Sequence, residues 1–362
     1  MRRINFLNLL VIATLLCSCV ETIEMDTVPV NKILVVNSLI APDSLFWCYV
    51  SKVYALNDST PHYVDNASVK IFDNSSGALV CELVHGSAGM YRALNSTAKM
   101  DKEYRIEVSA NGFPTVLGTT QIPHKQEATD VSYISYAGYD ALQNCDYDEL
   151  RFSIKDQFEE SNYYEVLFFT IFQSDSDWIV TDPFHKISTD TIWNMEDASG
   201  FADYTIVDAV LKAEGLMKYN PSTLVFSDNL FNLQKHDFVV RHWPLSSHVC
   251  FTLYTLSEEL YKFRTTLTQH LYERGAKGIS RYDDFAGLDF SSKAIDVYSN
   301  LNGGYGIFAG YNSQTLFTKF DTITHIDPYT GKTSTSIRNH CDTLPDGRVR
   351  IIIDQLKNPY EK

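Results

Sequence analysis

Ala67-Ser68-Val69-Lys70-Ile71, halted at Asp73-Asn74-Ser75-Ser76-Gly77 and resumed over Leu79 to Val84, is the stretch that decides the fold. Apolar side chains fall on alternate residues, the period that lets a strand bury one face and wet the other. The run between is turn chemistry, because Asp and Asn side chains bond nearby backbone and glycine admits positive φ. The pattern spreads outward in both directions. Ile33 to Val36 opens it, and Phe46, Cys48 and Val50 alternate with Trp47, Tyr49 and Ser51. Tyr104, Ile106 and Val108 alternate with Arg105, Glu107 and Ser109, then stop at Asn111-Gly112. Strands this closely spaced, with no helical period between them, predict an immunoglobulin-like β-sandwich over residues 29–123.

Residues 124–362 read as a larger β-rich domain carrying one amphipathic helix, so the expected fold class is mainly β. Leu150 to Ile154 alternates, and Tyr163 to Phe172 is nearly continuously apolar, as a central strand is. Ser174 to Asp182 and Ser188 to Asp203 are polar and read as loops. Ser257 supplies an N-cap, and Glu258 and Glu259 place carboxylates at the positive end of the helix dipole. Leu260, Phe263, Leu267 and Leu271 follow at helical spacing, closing at Arg274-Gly275. Late strands fall at Gly306 to Phe308, Leu316 to Thr318 and Val349 to Ile353.

The start of the chain is an address. Arg2 and Arg3 precede an apolar run from Phe6 to Leu16 broken only by Asn8 and Thr14. That run is shorter than the roughly 20 residues a membrane span needs, and it fits the core of a secretory signal. Leu16-Cys17-Ser18-Cys19 then has the form that lipoprotein signal peptidase reads. Residues 1–18 are therefore expected to be a signal peptide and Cys19 the acylated first residue of the mature chain. Residues 19–28 form an acidic linker holding Glu21, Glu24 and Asp26. Two or more acyl chains pass the threshold for stable anchoring that one chain misses, so the expected partner of Cys19 is a membrane.

The chain carries a formal charge of −15 and no basic stripe, which excludes a nucleic-acid partner. Five cysteines follow Cys19. Cys48, Cys81 and Cys250 sit in apolar runs and read as small buried hydrophobes, whereas Cys145 and Cys341 sit in polar segments and leave a bridge between them open.

Chemistry is sparse. His242 and His248 flank Trp243-Pro244, but on one straight strand they lie roughly 20 Å apart; His236-Asp237 is a similar case. Asp175, Asp177 and Asp182 lack the glycine and terminal glutamate of a calcium loop. No nucleophile elbow, zinc-protease helix or phosphate loop occurs. Gly303-Gly304-Tyr305-Gly306 precedes a strand rather than a helix, so it reads as a tight turn or bulge. No catalytic residue, metal or cofactor is expected. Tyr133, Tyr136 and Tyr139 cluster with few charges and are the candidate ligand-binding residues, since tyrosine stacks on sugars and anchors interfaces; packing between the two domains is the competing role.

Four stretches together resemble a known family. They are the lipobox with its acidic linker and Leu34-Val35-Val36-Asn37, then Val225 to Asn232, then Leu256 to Tyr261, and Val297-Tyr298-Ser299-Asn300-Leu301-Asn302-Gly303-Gly304-Tyr305-Gly306-Ile307-Phe308-Ala309-Gly310. In order and spacing they resemble the DUF4249 outer-membrane lipoproteins of Bacteroidetes, departing at Leu233, where a glycine is common. The resemblance implies no biochemical activity. It implies an outer-membrane, surface-exposed lipoprotein serving as a non-enzymatic accessory of a TonB-dependent nutrient transporter. The alternatives are a fimbrial or adhesin subunit and, with less support, a carbohydrate-active enzyme.

Overall fold

The computed structural model describes residues 32–54, 62–100, 102–141, 144–157, 159–174, 177–179, 204–213, 224–242, 248–271, 295–326 and 328–355. The signal segment, Cys19 and the acidic linker lie outside the described residues. So do Ser188 to Asp203, Arg274-Gly275, Asp175 and Asp182, and the side chains of Asp177, His242 and His248.

The alternating N-terminal runs become β1 (Leu34–Ile40), β2 (Leu45–Lys52), β3 (Ser68–Asp73), β4 (Leu79–His85), β5 (Met90–Thr97), β6 (Glu103–Ser109) and β7 (Val116–Gln121). They pair antiparallel in the order β1–β2–β5–β4–β3–β6–β7. Their inward residues, among them Val36, Phe46, Cys48, Ile71, Tyr104 and Val108, make one core. The turn that decides the fold forms as its chemistry requires. Asp73 Oδ1 accepts from the Ser76 amide and hydroxyl, each at 3.0 Å.

The other edge of β1 is taken by β16 (Gly304–Thr318), running parallel with Leu34 opposite Gly304 and Ile40 opposite Gly310. On the far side, Leu117 of β7 pairs with Asn302, N to O at 2.9 Å and 2.7 Å. A strand from the other end of the chain thus closes this β-sandwich-like body, and Phe308 is fully buried in its core. The Tyr-Ser-Asn segment before it works as a clamp. Asn300 Nδ2 donates to Thr119 O at 2.9 Å and Phe308 O at 2.7 Å, and its Oδ1 accepts from Phe308 N at 3.1 Å. Gly306, at φ +105°, lies within β16 rather than in the tight turn or bulge expected ahead of it, and lets the backbone of β16 lie against Val36.

The rest of the chain contributes β8 (Ala128–Asp140), β9 (Cys145–Lys155), β10 (Tyr163–Ser174), β11 (Asp177–Ile179), β12 (Tyr204–Ile206), a short α1 (Ala209–Ala213), β13 (Leu224–Ser227), β14 (Lys235–His242), β15 (His248–Leu256), α2 (Glu258–Leu271), β17 (Phe320–Ile326), β18 (Thr333–Asn339), β19 (Cys341–Thr343) and β20 (Val349–Gln355). The protein is mainly β. One sheet runs β13–β10–β15–β16–β20 and another β12–β14–β9–β8–β20–β19, joined through β20. Between them lies a second core containing Tyr164, Phe226, Phe238, Phe251 and Leu316. β10 is a central strand, as its unbroken apolar run predicted. The segments expected as separate strands at Gly306 and Leu316 are the two ends of β16. The polar run from Ser174 is not all loop, because Asp177–Ile179 pairs back on β10. β17 and β18 stand apart as a two-stranded ribbon.

Helix α2 caps as predicted, with Ser257 Oγ accepting from Leu260 N at 3.4 Å. Its buried Leu260, Phe263 and Leu267 pack with Leu167 of β10 and Cys250 and Leu256 of β15, and also with Leu39 of β1 and Ile307 and Ala309 of β16. The helix therefore covers the seam between the two bodies. No helix among the described residues is long and apolar enough to cross a membrane.

None of the five described cysteines is in a disulfide, which removes the bridge left open between Cys145 and Cys341. Both lie in strands rather than loops, and β8 and β20 stand between them. At about 4.8 Å per strand that separation exceeds the reach of a disulfide, for which Cα atoms stay within about 7 Å.

Leu233, the residue standing where glycine is common, has φ +59° and an exposed side chain. A side chain in the left-handed region costs roughly 1–2 kcal/mol, offset in part by the greater chain entropy glycine loses on folding. Leu233→Gly is therefore expected to raise the unfolding free energy by about 0.5–1 kcal/mol. A lowered midpoint in urea would contradict the strained turn.

Candidate functional site

The three clustered tyrosines all lie on β8, and the structure separates them. Tyr133 is buried in the second core, while Tyr136 is 70% exposed and Tyr139 57%. A regular strand turns Tyr133 and Tyr139 to one face and Tyr136 to the other. Here the register shifts between Ile134 and Gly138, and Tyr136 takes φ +51°. A bulky residue in that region marks strain that its surroundings must hold.

The holding group is Asp148 of β9, itself 1% exposed. Its Oδ2 accepts a short hydrogen bond from the Tyr133 hydroxyl, and its Oδ1 accepts from the Tyr136 amide at 2.7 Å. One buried carboxylate thus joins the core tyrosine to the bulge that displays the surface one. Tyr133 is a support rather than a contact face. Tyr139 donates its hydroxyl to Asn144 Oδ1 at 2.6 Å across the hairpin tip.

Beside the bulge, Gly138 leaves room for the Tyr147 ring, since a Cβ there would lie 2.3 Å from Tyr147 Oη. The Arg241 guanidinium stacks over that ring at 4.4 Å. Glu149, nearly buried, holds Arg151 at 2.6 Å and Arg241 at 3.7 Å, and Arg350 pairs with Asp342 at 2.7 Å. Register puts Arg350, Ile134, Glu149 and Arg241 in one row across four strands. The outer face of this sheet is an arginine–carboxylate lattice with an exposed tyrosine at its margin.

A second bulge on β8 lies between Thr129 and Ser132, with Asp130 at φ +55°. There β8 leaves β20, which crosses to β16 after Ile352. The parting strands open a groove of about 450 Å³ lined by Asp130, Val131, Ser132, Gln314, Leu316 and Arg350. Gln314 Oε1 accepts from Ala128 N at 2.7 Å, fixing the floor. The acids at the rim are paired, Asp130 with Lys235 at 3.2 Å and Asp354 with Lys319 at 3.7 Å. Such a groove suits recognition of an extended or polar ligand.

His236 bonds Asp208 at 2.9 Å, and Asp208 accepts from the Val210 and Leu211 amides at 2.9 and 3.1 Å, capping α1. The pair His236-Asp237 is thus split, with Asp237 held below the usual carboxylate range by Ser153 and then Lys235. β14, which carries His242, and β15, which carries His248, belong to different sheets. Among the described residues no three His, Cys, Asp or Glu side chains converge as a metal site. The tyrosine cluster was visible in the sequence. The groove was not, because Asp130 and Tyr136 carry none of the glycine signal that marks most left-handed positions.

No curated protein matches the chain. Among solved structures, the chicken interferon gamma receptor alpha chain is similar at 9% identity and a TM-score of 0.16, covering 63% of this chain and 90% of that one. Trypsin-activated alpha-2-macroglobulin from Escherichia coli is similar at 8% identity and a TM-score of 0.19, covering 84% and 17% respectively. The family profile described as Domain of unknown function (DUF4249) matches residues 20–316, a span that takes in β1, the Asp228 turn, α2 and the clamp ahead of β16. The chain belongs to the DUF4249 family.

Proposed function

We propose that the protein is a non-enzymatic binding or accessory lipoprotein, anchored to the outer membrane through acylated Cys19 and serving a TonB-dependent nutrient transporter. The observation that carries this reading is Leu16-Cys17-Ser18-Cys19 behind a short apolar run. The displayed Tyr136 with its buried Asp148 support, and the groove at the other bulge of β8, supply contact surfaces whose neighbouring acids are paired with cations. Contact, rather than proton transfer, is what such a surface offers. A fimbrial subunit, whose first strand would be cut away at a basic residue near its end, has less support, because Lys32 precedes the first apolar strand rather than following it.

Cys19→Ala is expected to abolish acylation and move the protein from the membrane fraction to the soluble one, read by labelled fatty-acid incorporation and fractionation. A variant still acylated and membrane-bound would overturn the anchor and, with it, the accessory role at the membrane.

A further inference from the structure

The strands of the first body end in two unlike ways. Leu34, where β1 starts, lies opposite Lys52 at the end of β2 and Gly304 at the start of β16. The chain after β2 returns to the same place, since Lys52 N donates to His62 O at 2.7 Å and Ser51 bridges to Tyr63. The turn between β4 and β5 closes against it, where a Cβ on Gly89 would lie 2.8 Å from Tyr63 Cβ. Three tyrosines are displayed around this end, Tyr54 at 50% exposure, Tyr63 at 40% and Tyr305 at 55%. Tyr54 lies flat on His62, with ring centroids 3.4 Å apart.

The charge at this end also departs from the rest of the chain, in which 45 acids stand against 30 basic residues. Lys32 and Lys52 are both here, Lys32 with its Nζ near Gly112. The one acid among the described residues at these strand ends is Asp65, whose Oδ1 accepts from Gly89 N at 2.8 Å and lies 2.8 Å from His85 Nε2. The opposite end of the same body is ordinary solvent-facing surface. Its turns carry the ion pairs Asp43–Lys99 at 2.6 Å and Asp73–Lys102 at 2.9 Å. β16 passes that end at Gly310 and runs on into the second body, pairing with β15 from Tyr311. The second body therefore lies on the charged side, away from the three tyrosines.

We propose that the end of the first body bearing Tyr54, Tyr63 and Tyr305 rests on the phospholipid headgroup surface and stands the protein upright, with the second body turned outward. The proposal rests on the acylation of Cys19. From that anchor only residues 20–31 lead to Lys32, and Lys32 enters the fold at this end. An extended chain covers at most about 3.3–3.6 Å per residue, so the tether reaches roughly 45 Å. Tethering makes the contact intramolecular, and even a weak one is then occupied. The chemistry suits a headgroup layer. A tyrosine presents an apolar ring and a polar tip to a boundary that is itself half apolar and half wet, and lysines are drawn to anionic headgroups.

The test places the full acylated chain in vesicles of phosphatidylethanolamine and phosphatidylglycerol and reads hydrogen exchange by mass spectrometry. The Cys19→Ala chain in solution is the membrane-free reference. Exchange is expected to slow several-fold at residues 32–34, 52–54, 62–64 and 303–305, and to stay unchanged at 41–44 and 73–78. A variant carrying Tyr54→Ser, Tyr63→Ser and Tyr305→Ser, still acylated, is expected to lose that protection. It should keep the wild-type thermal midpoint, because all three rings are exposed. Should it fail to fold, Tyr305→Ser alone is expected to lose the protection at 303–305. A chain that carries no acyl group and does not attach to vesicles refutes the anchor itself. An acylated, attached chain whose tyrosine end exchanges as fast as the reference overturns the lipid contact alone, as does equal protection in the tyrosine variants. Protection in native outer-membrane vesicles but none on phospholipid would give this end a protein partner and equally overturn the lipid contact.

Discussion

Gly306→Ala is expected to deprive the chain of a stable fold. At φ +105° an L side chain is strained before any neighbour is considered, and the added Cβ would lie 2.1 Å from Val36 O and 2.9 Å from Asn37 Oδ1. Both contacts are with β1, which β16 cannot leave without giving up seven paired residues. Backbone strain of about 1–3 kcal/mol and a similar overpacking cost together approach the lower end of total domain stability, about 5 kcal/mol. Expression in the soluble fraction and the urea midpoint measure it. Gly77 is the control, since it also has positive φ but no atom within 4 Å of a built Cβ. Its alanine variant is expected to cost only about 1 kcal/mol. An unchanged midpoint for Gly306→Ala would mean that β16 does not lie against β1 in this register.

Phe308→Ala carries the second large effect. Its ring is fully buried in the first core with Phe46 and Tyr104, whereas its neighbours Ile307 and Ala309 face α2. Truncating a buried phenylalanine costs about 3–5 kcal/mol. Because β16 also pairs with β15 from Tyr311 to Phe317, that loss is expected to spread across both bodies. Hydrogen exchange by mass spectrometry should show protection falling together over residues 34–121 and 224–317. Loss confined to one body would show that they unfold independently.

The elements with local signals were legible. Period-2 alternation, Asx–glycine turns and the Ser257 cap gave β1 to β4, β6, β9, β10 and α2, since each depends on neighbours a few residues away. The closing of the first body by residues 304–310 was not legible. A parallel partner some 270 positions distant leaves no turn or spacing between the strands to betray it. Its one trace was Gly303-Gly304-Tyr305-Gly306, which reads from the sequence as a tight turn or bulge, whereas the close approach of β1 that these glycines admit shows only in the fold. At the candidate site the tyrosines stood out by composition. Only the shifted register of β8 and the reach of Asp148 across to it separate the displayed ring from the buried one.

An accessory role needs both the anchor and the contact face, so the decisive measurement captures the partner directly. The tagged, lipidated protein would be recovered from mildly solubilised outer membranes, alongside a Tyr136→Ala/Tyr139→Ala variant, and its companions identified by mass spectrometry. Both side chains are exposed, so the variant is expected to keep the wild-type thermal midpoint. The account predicts a TonB-dependent transporter in stoichiometric amount with the wild type and a several-fold smaller yield with the variant. Recovery of the protein alone, or as a ladder of its own copies, would contradict it.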